Sequence, residues 1–367
     1  MSNVFDVTDQ WGPVKILHIH QPRVGLRAIV AVDNVACGPS IGGIRMAADA
    51  TLEEVARLAR AMTLKNAAAG LPHGGGKSVI LADPAMPPAE KEPVIRAFAA
   101  AIAELSEYIP GPDMGTDERA MAWIYDEIGR AVGLPRELGG IPLDEIGATG
   151  WGLAEAIEVA RSAIGLEIKG ARVAIQGFGS VGKHAARFLA RQGAVLVAAS
   201  DSRGTLQDDG GLDVESLIAL KAQGQSLAAS ARGRKLGLDA IIDAECDIWI
   251  PAARPDVLRE DNAGRLRAKL VAQGANIPAT PQAEQILAAR GILVLPDFIA
   301  NAGGVICAAT EYHGGTEASA FAAISDKIRA NTGAVLAEAE RSRLLPRAAA
   351  LGLAERRVRA AMALRRW

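Results

Sequence analysis

Cysteines are few in this chain of 367 residues, and the three that occur, at positions 37, 246 and 307, lie far from one another. Their odd number and wide spacing exclude the regular pattern of a disulfide framework or a cysteine metal site. We therefore expect a protein of the reducing cytoplasm. Long apolar runs are also missing, and the N-terminal segment MSNVFDVTDQWG has acidic residues but no apolar core. We accordingly expect neither a membrane span nor a signal peptide.

An excess of charge of either sign is absent as well. The chain has 40 basic and 42 acidic residues, a formal net charge of -2, which gives no electrostatic basis for binding nucleic acid. Six arginines near the C-terminus are better explained as the solvated face of helices, and they stand at positions 341, 343, 347, 356, 357 and 359. With 50% hydrophobic and 22% charged residues, the composition predicts a globular protein with a large core. The length predicts two domains.

The first part of the chain predicts strands followed by a helix. Apolar and polar residues alternate from Val14 to His20 and from Leu26 to Asp33, which is typical of strands in a half-covered sheet. The glycine-dense segment from Gly38 to Met46 favours a tight turn. A helix should then cover about residues 51–69, because Thr51 to Glu54 have the form of a capping box and apolar residues follow at helical spacing.

Two lysines are prominent near the end of this helix. The apolar stripe continues onto Lys65, which puts an ammonium group on the inward face, where it needs an anion. The alternative is a lysine whose apolar stem reaches the surface. The glycines at 74–76 predict a loop that carries Lys77 into a cleft, ahead of a strand over 78–81. A second cation nearby and partial desolvation would lower the pKa of Lys77 and suit it to polarise a carbonyl group.

The sequence GGGKS has the look of a phosphate-binding loop, but two features argue against an NTPase. The spacing requires glycine where Leu71 stands. The predicted order is helix, loop and strand, whereas a phosphate-binding loop connects a strand to a helix.

A second constrained loop is predicted from Tyr108 to Thr116, after a helix over about residues 90–105. Two prolines and two glycines fix the path of this loop around Asp113. Because Thr116 and Asp117 are better placed to cap the next helix, the carboxylate of Asp113 is a candidate general acid or base.

The second half of the chain carries a dinucleotide-binding motif. A helix predicted from about Thr149 is followed by a strand over 172–176, the sequence GFGSVG at 177–182 and an apolar helix to Arg191. The next strand ends at Asp201. A strand before the glycines, a helix after them and an acidic residue at the end of the next strand make the motif specific.

This motif predicts how a nucleotide would bind. The glycines would let a pyrophosphate reach the N-terminus of the helix, and Asp201 would accept hydrogen bonds from the adenosine ribose. Further strands around 248–250, 270–273 and 292–295 alternate with helical segments. This alternation predicts a doubly wound sheet.

Seven motifs in a fixed order resemble those of the glutamate, leucine, phenylalanine and valine dehydrogenase family. They are GGIRM at 42–46, TLKNAAAGLPHGGGK at 63–77, PGPDMGT at 110–116, ATGWG at 148–152, GFGSVG at 177–182, QGANIP at 273–278 and NAGGV at 301–305. The resemblance implies a two-domain α/β fold. An α/β substrate-binding and oligomerisation domain would cover 1–138, a Rossmann-type NAD-binding domain 139–330, and C-terminal helices over 331–367 would return to the first domain.

The resemblance also implies a reaction and roles for particular residues. Lys65 would bind the substrate α-carboxylate, Lys77 would polarise the reacting carbon and activate water, and Asp113 would shuttle protons to and from the amino group. Three positions match those near the nicotinamide in the family: Thr149, Asn276 and Asn301. The implied reaction is reversible oxidative deamination of an amino acid to a 2-oxo acid and ammonia, without a metal, in a closed homo-oligomer.

Departures from the family pattern bear on the substrate. Glutamate-specific members have a lysine just before GGIR and a serine three residues after NAGGV, and here these positions are Ile41 and Ala308. We therefore predict an apolar L-amino acid of the leucine, valine or phenylalanine type, with extra pocket depth at Gly111 and Ala308. The residues assigned to substrate binding are Ile41, Gly42, Gly43, Lys65, Gly111, Val305 and Ala308. The alternatives are a glutamate dehydrogenase and a nucleotide-binding regulator of the same fold without catalytic activity.

The preferred cofactor is predicted from the acid that ends the second strand of the nucleotide domain. Asp201 would repel a 2′-phosphate, which favours NAD over NADP. Arg203 could offset the repulsion by pairing with the phosphate, so NADP stays an alternative. The residues assigned to the cofactor are Thr149, Gly177, Gly179, Ser180, Val181, Gly182, Asp201, Arg203, Asn276 and Asn301.

Overall fold

The computed structural model describes residues 5–365 and divides into two compact units. Of these residues, the first unit comprises 5–143, 305–320 and 351–365, and the second comprises 144–304 and 321–350. Both are α/β, which confirms the predicted fold class. Within the described range, no helix combines the length and apolarity needed to cross a membrane.

The first unit is built on a five-stranded sheet. Its strands are β1 (Lys15–Gln21), β2 (Leu26–Asn34), β3 (Ser40–Met46), β4 (Gly74–Ile80) and β5 (Tyr108–Pro112), and the helices between them and after them are α1 (Leu52–Ala68), α2 (Pro88–Ala101) and α3 (Glu118–Ile128). The strand order is β1-β2-β4-β3-β5, with β3 parallel to β4 and β5 and the other pairs antiparallel. α1 begins at its predicted cap, because the hydroxyl oxygen of Thr51 accepts a hydrogen bond from the amide of Glu54.

Different helices cover the two faces of this sheet. On one face Ile44 and Ile80 pack with Phe98 of α2, and on the other Val79 packs with Val55 of α1. Each fully buried side chain of this size contributes roughly 1.5–3 kcal/mol. Because side chains alternate along a strand, the odd-numbered residues of β3 and β4 share the α1 face. Lysine 77 therefore lies on that face.

Two glycine-rich segments that the sequence predicts as a turn and a loop are strands. Gly42 lies within β3 and Gly75 within β4. A Cβ atom at Gly42 would lie 1.7 Å from the carbonyl oxygen of Gly76, and one at Gly75 would lie 1.9 Å from the amide nitrogen of Thr63 in α1. The glycines thus permit close packing of strands and helix, and the chain does not turn there.

The segment before Asp113 is also a strand where the sequence predicts a loop. Residues 108–112 form β5, which lies at the edge of the sheet. Prolines are tolerated on an edge strand because one side of it needs no ladder hydrogen bonds. The predicted cap of the following helix is confirmed, since the carboxylate of Asp117 accepts from the amide of Ala120.

The second unit contains a seven-stranded sheet. Its strands are β6 (Arg172–Gln176), β7 (Val195–Asp201), β8 (Gly204–Gln207), β9 (Arg234–Leu236), β10 (Ile248–Pro251), β11 (Leu270–Ala272) and β12 (Leu293–Leu295). From residue 143 to the C-terminus, across both units, the helices are α4 (Leu143–Ile146), α5 (Ala148–Ala160), α6 (Ser180–Arg191), α7 (Val214–Ala222), α8 (Pro281–Ala289), α9 (Asp297–Ala300), α10 (Gly303–Tyr312), α11 (Glu317–Ser342) and α12 (Pro346–Leu364). One-turn 3₁₀ helices lie at Pro22–Val24, Arg136–Leu138, Arg161–Ile164, Leu227–Ala229, Leu238–Ile241 and Ala263–Arg265.

The strand order of this sheet is β12-β11-β10-β6-β7-β8-β9. β12, β11, β10, β6 and β7 are parallel neighbours, whereas β8 and β9 pair antiparallel. The order reverses between β6 and β10, as in a doubly wound nucleotide-binding sheet, and this confirms the predicted architecture. Trp249 is fully buried in the core beside β11 and α8.

Two of the six C-terminal arginines do not belong to a solvated face, which corrects the prediction from composition. The guanidinium group of Arg347 lies 2.9 Å from the carboxylate of Glu284 and 3.0 Å from that of Asp297. Arg357 donates to the carbonyl oxygen of Ala68 at 2.6 Å, at the negative end of α1. The other four arginines are exposed.

Candidate active site

The structure brings Lys77 and Asp113 into direct contact in the first unit. The ammonium group of Lys77, at the middle of β4, donates to Oδ2 of Asp113, which directly follows β5. Nε of Arg45 in β3 also donates to this oxygen, at 3.3 Å. Nη1 of the same guanidinium group donates to the carboxylate of Glu54 in α1 at 3.4 Å. Three adjacent parallel strands thus bring these groups together. β4 carries Lys77, β3 carries Arg45, and Asp113 directly follows β5.

Gly43 makes room for this pair. A Cβ atom at Gly43 would lie 2.8 Å from Cβ of Asp113 and 3.3 Å from Nζ of Lys77. Any larger residue would push the carboxylate and the ammonium group out of their present positions. The glycine predicted to bind substrate therefore lies directly beneath the candidate catalytic pair.

The surroundings shift the pKa of both groups downward. Burial lowers the pKa of Lys77, and Arg45 adds to this effect, while Asp113 opposes it. The second cation near Lys77 is therefore Arg45. Burial works to raise the pKa of Asp113, but the charge and hydrogen bond of Lys77, with the amide of Met114 and Arg45, hold it below its ordinary value.

Asp113 is also held by its backbone. Its amide donates to the hydroxyl oxygen of Thr116 at 3.0 Å, and that hydroxyl donates to the carbonyl oxygen of Ile44 at 2.7 Å. The carboxylate is therefore fixed from the sheet and from the turn that leads to α3.

The remaining candidates for substrate binding occupy three elements of the first unit. Ile41 is buried and lies on the same face of β3 as Gly43, two residues away. Lys65 lies in the last turn of α1, and Val305 and Ala308 lie in α10. The carbonyl oxygen of Gly42 accepts from the hydroxyl of the buried Tyr108 at 2.9 Å.

Gly111 does not provide the pocket depth that the sequence predicts. A Cβ atom at Gly111 would lie 3.0 Å from Cγ2 of Val132, which is itself buried. Val132 thus occupies the space beside this glycine. The contact joins residues of two different segments, so no local pattern indicated it.

In the second unit, the three glycines of the GFGSVG motif serve three different purposes. Gly177 has φ 95° and faces Ala253, since a Cβ atom there would lie 2.6 Å from the Cβ of that alanine. Gly182 packs α6 onto β6, with a Cβ position 2.0 Å from the carbonyl oxygen of Gly177. Gly179 has no heavy atom of residues 5–365 within 4 Å of its Cβ position. Of the three glycines, Gly179 thus leaves room for a pyrophosphate at the start of α6.

The next two motif residues, Ser180 and Val181, form the first turn of α6. The hydroxyl of Ser180 lies 3.1 Å from the carboxylate of Asp144. A cavity of about 690 Å³ opens beside the motif and is lined by Gly179, Asp201, Lys221 and Arg254, among others. These residues fit the phosphate and adenosine end of a dinucleotide.

Asp201 is already saturated by the protein, which the sequence did not predict. One carboxylate oxygen accepts from the amide of Arg203 and the hydroxyl of Ser226, and the other from the amide of Leu227 and the ammonium group of Lys221, all at 2.8–3.1 Å. The side chain is only 7% exposed. Its four acceptor positions are thus occupied, and a ribose hydroxyl would have to displace one of these donors.

Three further candidates come together near the start of α10. Nδ2 of Asn301 donates to Oδ1 of Asn276 at 3.0 Å, and the Cβ position of Gly303 lies 3.1 Å from Cα of Thr149. Oδ1 of Asn301 is buried and takes no hydrogen bond from the part of the chain that the structure describes. An unpartnered buried oxygen of this kind needs a donor from a ligand or water.

Sequence reasoning missed Arg45, Glu54 and Lys221. Arg45 stands in the GGIRM motif at even spacing from Gly43, which was a usable signal for its orientation. Nothing in the local sequence singles out Lys221. Among the described residues, no group of three or more His, Cys, Asp or Glu side chains is arranged to hold a metal ion.

Comparisons with known proteins identify the family of this chain. The family described as Glutamate/Leucine/Phenylalanine/Valine dehydrogenase matches residues 139–366, and its companion, the Glu/Leu/Phe/Val dehydrogenase dimerisation domain, matches residues 14–130. The NADP(+)-dependent glutamate dehydrogenase of Pyrobaculum calidifontis is 41% identical over 298 residues, which is 76% of this chain and 70% of that protein.

Two solved structures share the fold over nearly the whole chain. The hetero-hexameric glutamate dehydrogenase of Thermus thermophilus, in its Leu-bound form, has a TM-score of 0.87 and 32% identity over 97% of this chain and 90% of its own. The L-tryptophan dehydrogenase of Nostoc punctiforme has a TM-score of 0.77 and 26% identity over 98% of this chain and 99% of its own.

Proposed function

Because the chain belongs to the Glu/Leu/Phe/Val dehydrogenase family of amino-acid dehydrogenases, we propose that it catalyses the reversible oxidative deamination of an apolar L-amino acid with NAD. The products would be the 2-oxo acid, ammonia and the reduced cofactor. The family uses a nicotinamide cofactor, and relatives include an NADP-dependent enzyme.

One observation carries the proposal of an apolar substrate. Ile41 lies on the same face of β3 as Gly43, about 7 Å along the strand from the contact of Lys77 with Asp113. If the substrate side chain extends about 7 Å from Lys77 and Asp113 along β3, the residue nearest to it would be the aliphatic Ile41. A substrate carboxylate buried there without a cation would lose its hydration, at a cost of several kcal/mol. An apolar side chain would gain about 0.8 kcal/mol for each buried methylene group.

We assign the chemistry to three side chains of the first unit. Lys65 would bind the α-carboxylate. The carboxylate of Asp113 would take a proton from the substrate ammonium group, and the nicotinamide, when bound, would accept the hydride of the α-carbon, which leaves a substrate iminium. Lys77 in its neutral form, which its lowered pKa favours, would deprotonate the water that adds to this carbon. Asp113 would then return its proton to the nitrogen and take the proton of the new hydroxyl group, so that ammonia leaves and the 2-oxo acid remains.

In the structure the ammonium group of Lys77 and the carboxylate of Asp113 form an ion pair with each other. The ion pair of Lys77 and Asp113 keeps the carboxylate ionised and ready to accept a proton from the substrate amine. Substitution of either group should lower turnover by at least about two decades, in line with general acid and base catalysis. We would measure Lys77→Ala and Asp113→Asn against Lys15→Ala, which removes an exposed ion pair in the same unit. Near-normal turnover in both site variants would refute this assignment.

Glutamate is the second candidate substrate. The Pyrobaculum and Thermus proteins named above are glutamate dehydrogenases, whereas the Nostoc protein is a tryptophan dehydrogenase. Specificity constants for glutamate, valine, leucine, phenylalanine and tryptophan, measured side by side with NAD and NADP, separate the candidates. We expect an apolar substrate to lead, and a leading glutamate would overturn the argument from Ile41 and Ala308.

We further propose a homo-oligomer of the cytoplasm that prefers NAD. The match to a dimerisation domain supports the oligomer. The negative charge of Asp201 at the carboxyl end of β7 supports the cofactor preference, although Lys221 partly neutralises it. Light scattering of the purified protein would give its subunit number.

A further inference from the structure

Ile277 has a backbone conformation that its side chain disfavours. Its φ angle is 49°, in the left-handed region that glycine adopts without cost. A residue branched at Cβ is a true outlier there, because its side chain crowds the backbone. Such conformations persist only where the surrounding structure imposes them, and they concentrate at functional sites.

Two hydrogen bonds impose this conformation. The amide of Ile277 donates to the carboxylate of Asp297 at 2.8 Å, and its carbonyl oxygen accepts from the amide of Asp256 at 3.0 Å. Asp256 is itself left-handed, with φ 52°. Asp297 is buried and paired with Arg347. The turn is therefore clamped from both sides.

Packing within the fold does not account for an isoleucine at this position. The side chain is 56% exposed, so more than half of its apolar surface faces solvent. A glycine would relieve the backbone and an asparagine would tolerate it, and both would suit an exposed turn better than isoleucine. The apolar side chain must then be useful for something other than folding.

The position of the turn identifies what the side chain would contact. Ile277 follows the carboxyl end of β11, on the β10-β11-β12 side of the point where the strand order reverses. Asp201 and the glycine motif lie on the β6-β7 side. A dinucleotide binds across this crevice with one nucleoside on each half of the sheet. The adenosine belongs to the β6-β7 half, so the loop of Ile277 belongs to the nicotinamide half.

Polar groups next to Ile277 are also available for a ligand. Asn276 is exposed, and its Oδ1 is held by Nδ2 of Asn301. Nδ2 of Asn301 faces three oxygens, those of Gly274, Ala275 and Asn276, which fixes its orientation and leaves its buried Oδ1 without a donor from residues 5–365. An apolar surface beside an unpartnered amide oxygen suits a flat aromatic ring with a carboxamide substituent, whose NH₂ group can donate to that oxygen.

We propose that Ile277 is a cofactor-contacting residue whose exposed side chain forms the apolar wall against which the nicotinamide ring is held. The clamped left-handed backbone presents this side chain to the ring. This inference rests on the proposed use of a nicotinamide cofactor and adds a residue to that site.

The test is NADH binding by fluorescence titration, together with thermal unfolding, in the full-length protein. Ile277→Gly should raise Tm, because it relieves the backbone, and should weaken NADH binding by about tenfold, because it removes the wall. Ile277→Asn, which tolerates the same backbone but is polar, should weaken binding similarly. Ile277→Val should keep the wild-type Kd within about twofold, since most of the apolar surface remains.

Two controls separate the wall from the shape of the turn. Asp256→Gly relieves the other left-handed residue of the clamp but keeps the side chain of Ile277, so NADH should bind as in the wild type. ADP-ribose has no nicotinamide ring and should bind equally to the wild type and to Ile277→Gly.

Unchanged NADH binding in Ile277→Gly, or equal loss of NADH and ADP-ribose binding, would overturn the inference. A lower Tm in Ile277→Gly would also overturn it, because the isoleucine would then serve the fold. A wild-type protein that binds no NADH or NADPH would instead refute the proposed function.

Discussion

Arg45 of β3 connects the candidate catalytic acid, Asp113, to Glu54 of α1. Its guanidinium group donates to the carboxylates of Asp113 and Glu54. Among the described residues, it forms no hydrogen bond with Lys77. As a fixed cation 3.3 Å from Asp113, it helps to keep that carboxylate ionised. We regard it as a positioning residue for Asp113.

This role predicts a change in pH dependence when Arg45 is replaced. Arg45 lowers the pKa of Asp113, so Arg45→Met should raise that pKa. If Asp113 must be ionised to accept a proton, the acid limb of the kcat/KM profile should move to higher pH. Arg45→Lys keeps the charge and should leave the limb closer to its wild-type position. A loss of activity without any movement of the acid limb would indicate a purely structural role.

We expect Lys221 to determine how strongly Asp201 discriminates between cofactors. Its ammonium group lies 3.1 Å from the carboxylate of Asp201 and lines the same cavity. The pair has little net charge, so a 2′-phosphate would meet less repulsion than Asp201 alone would produce.

Removal of this cation should sharpen the preference for NAD. Lys221→Gln leaves the charge of Asp201 uncompensated, and the ratio of kcat/KM for NAD to that for NADP should rise by about tenfold, mainly through poorer use of NADP. Lys235→Gln removes an exposed cation of β9 in the same unit and serves as the control. An unchanged ratio would show that Lys221 does not face the phosphate position.

At the scale of elements, glycine has two opposite uses in this chain. In β3 and β4, Gly42, Gly74 and Gly75 are covered by other backbone, whereas Gly179 at the start of α6 is open. Both uses give the same local sequence signal, a cluster of glycines beside a lysine or serine. Only tertiary contacts distinguish them, and for this reason the sequence predicted loops where the structure has strands.

A matched pair of alanine substitutions distinguishes the two uses. Gly75→Ala would place a Cβ atom 1.9 Å from the backbone of Thr63, so α1 and β4 must separate, and we expect a loss of at least about 3 kcal/mol in the free energy of unfolding. Gly179→Ala meets no atom of the described chain and should leave Tm nearly unchanged. Its methyl group would occupy the pyrophosphate approach, so NADH binding should weaken by about tenfold. Denaturant titration and NADH titration of both variants check these outcomes.

The elements that could be predicted are those whose signals are local. The cap at Thr51, the strand β6 and the helix α6 follow from capping, alternation and the glycine motif, and the structure confirms them. The contact of Lys77 with Asp113 could be expected only because both lie in constrained segments that match one family. The filling of the space at Gly111 by Val132, and three of the four donors on Asp201, join distant segments and have no local signature.

For the whole molecule, the fold and the substrate are separate questions. The Thermus glutamate dehydrogenase and the Nostoc tryptophan dehydrogenase both superpose on nearly all of this chain, yet their substrates differ in charge. The shared architecture therefore does not fix the substrate, and our proposal assigns the specificity to a few side chains of the first unit. A pocket that lacks a cation rejects a second carboxylate more strongly than it rejects a change in apolar shape.

A double substitution should convert this preference. Ile41→Lys with Ala308→Ser supplies a cation and a hydroxyl for a side-chain carboxylate, and the specificity constant for glutamate should rise by at least about a hundredfold, because the buried charge is then paired. The constant for leucine should fall, since a buried cation would face an apolar side chain. Ile41→Met is the control, because it has a long side chain without the charge and should gain no glutamate activity. The measurement is the ratio of the two specificity constants in the wild type and the variants. If the double variant gains nothing for glutamate, Ile41 and Ala308 do not line the pocket that receives the substrate side chain.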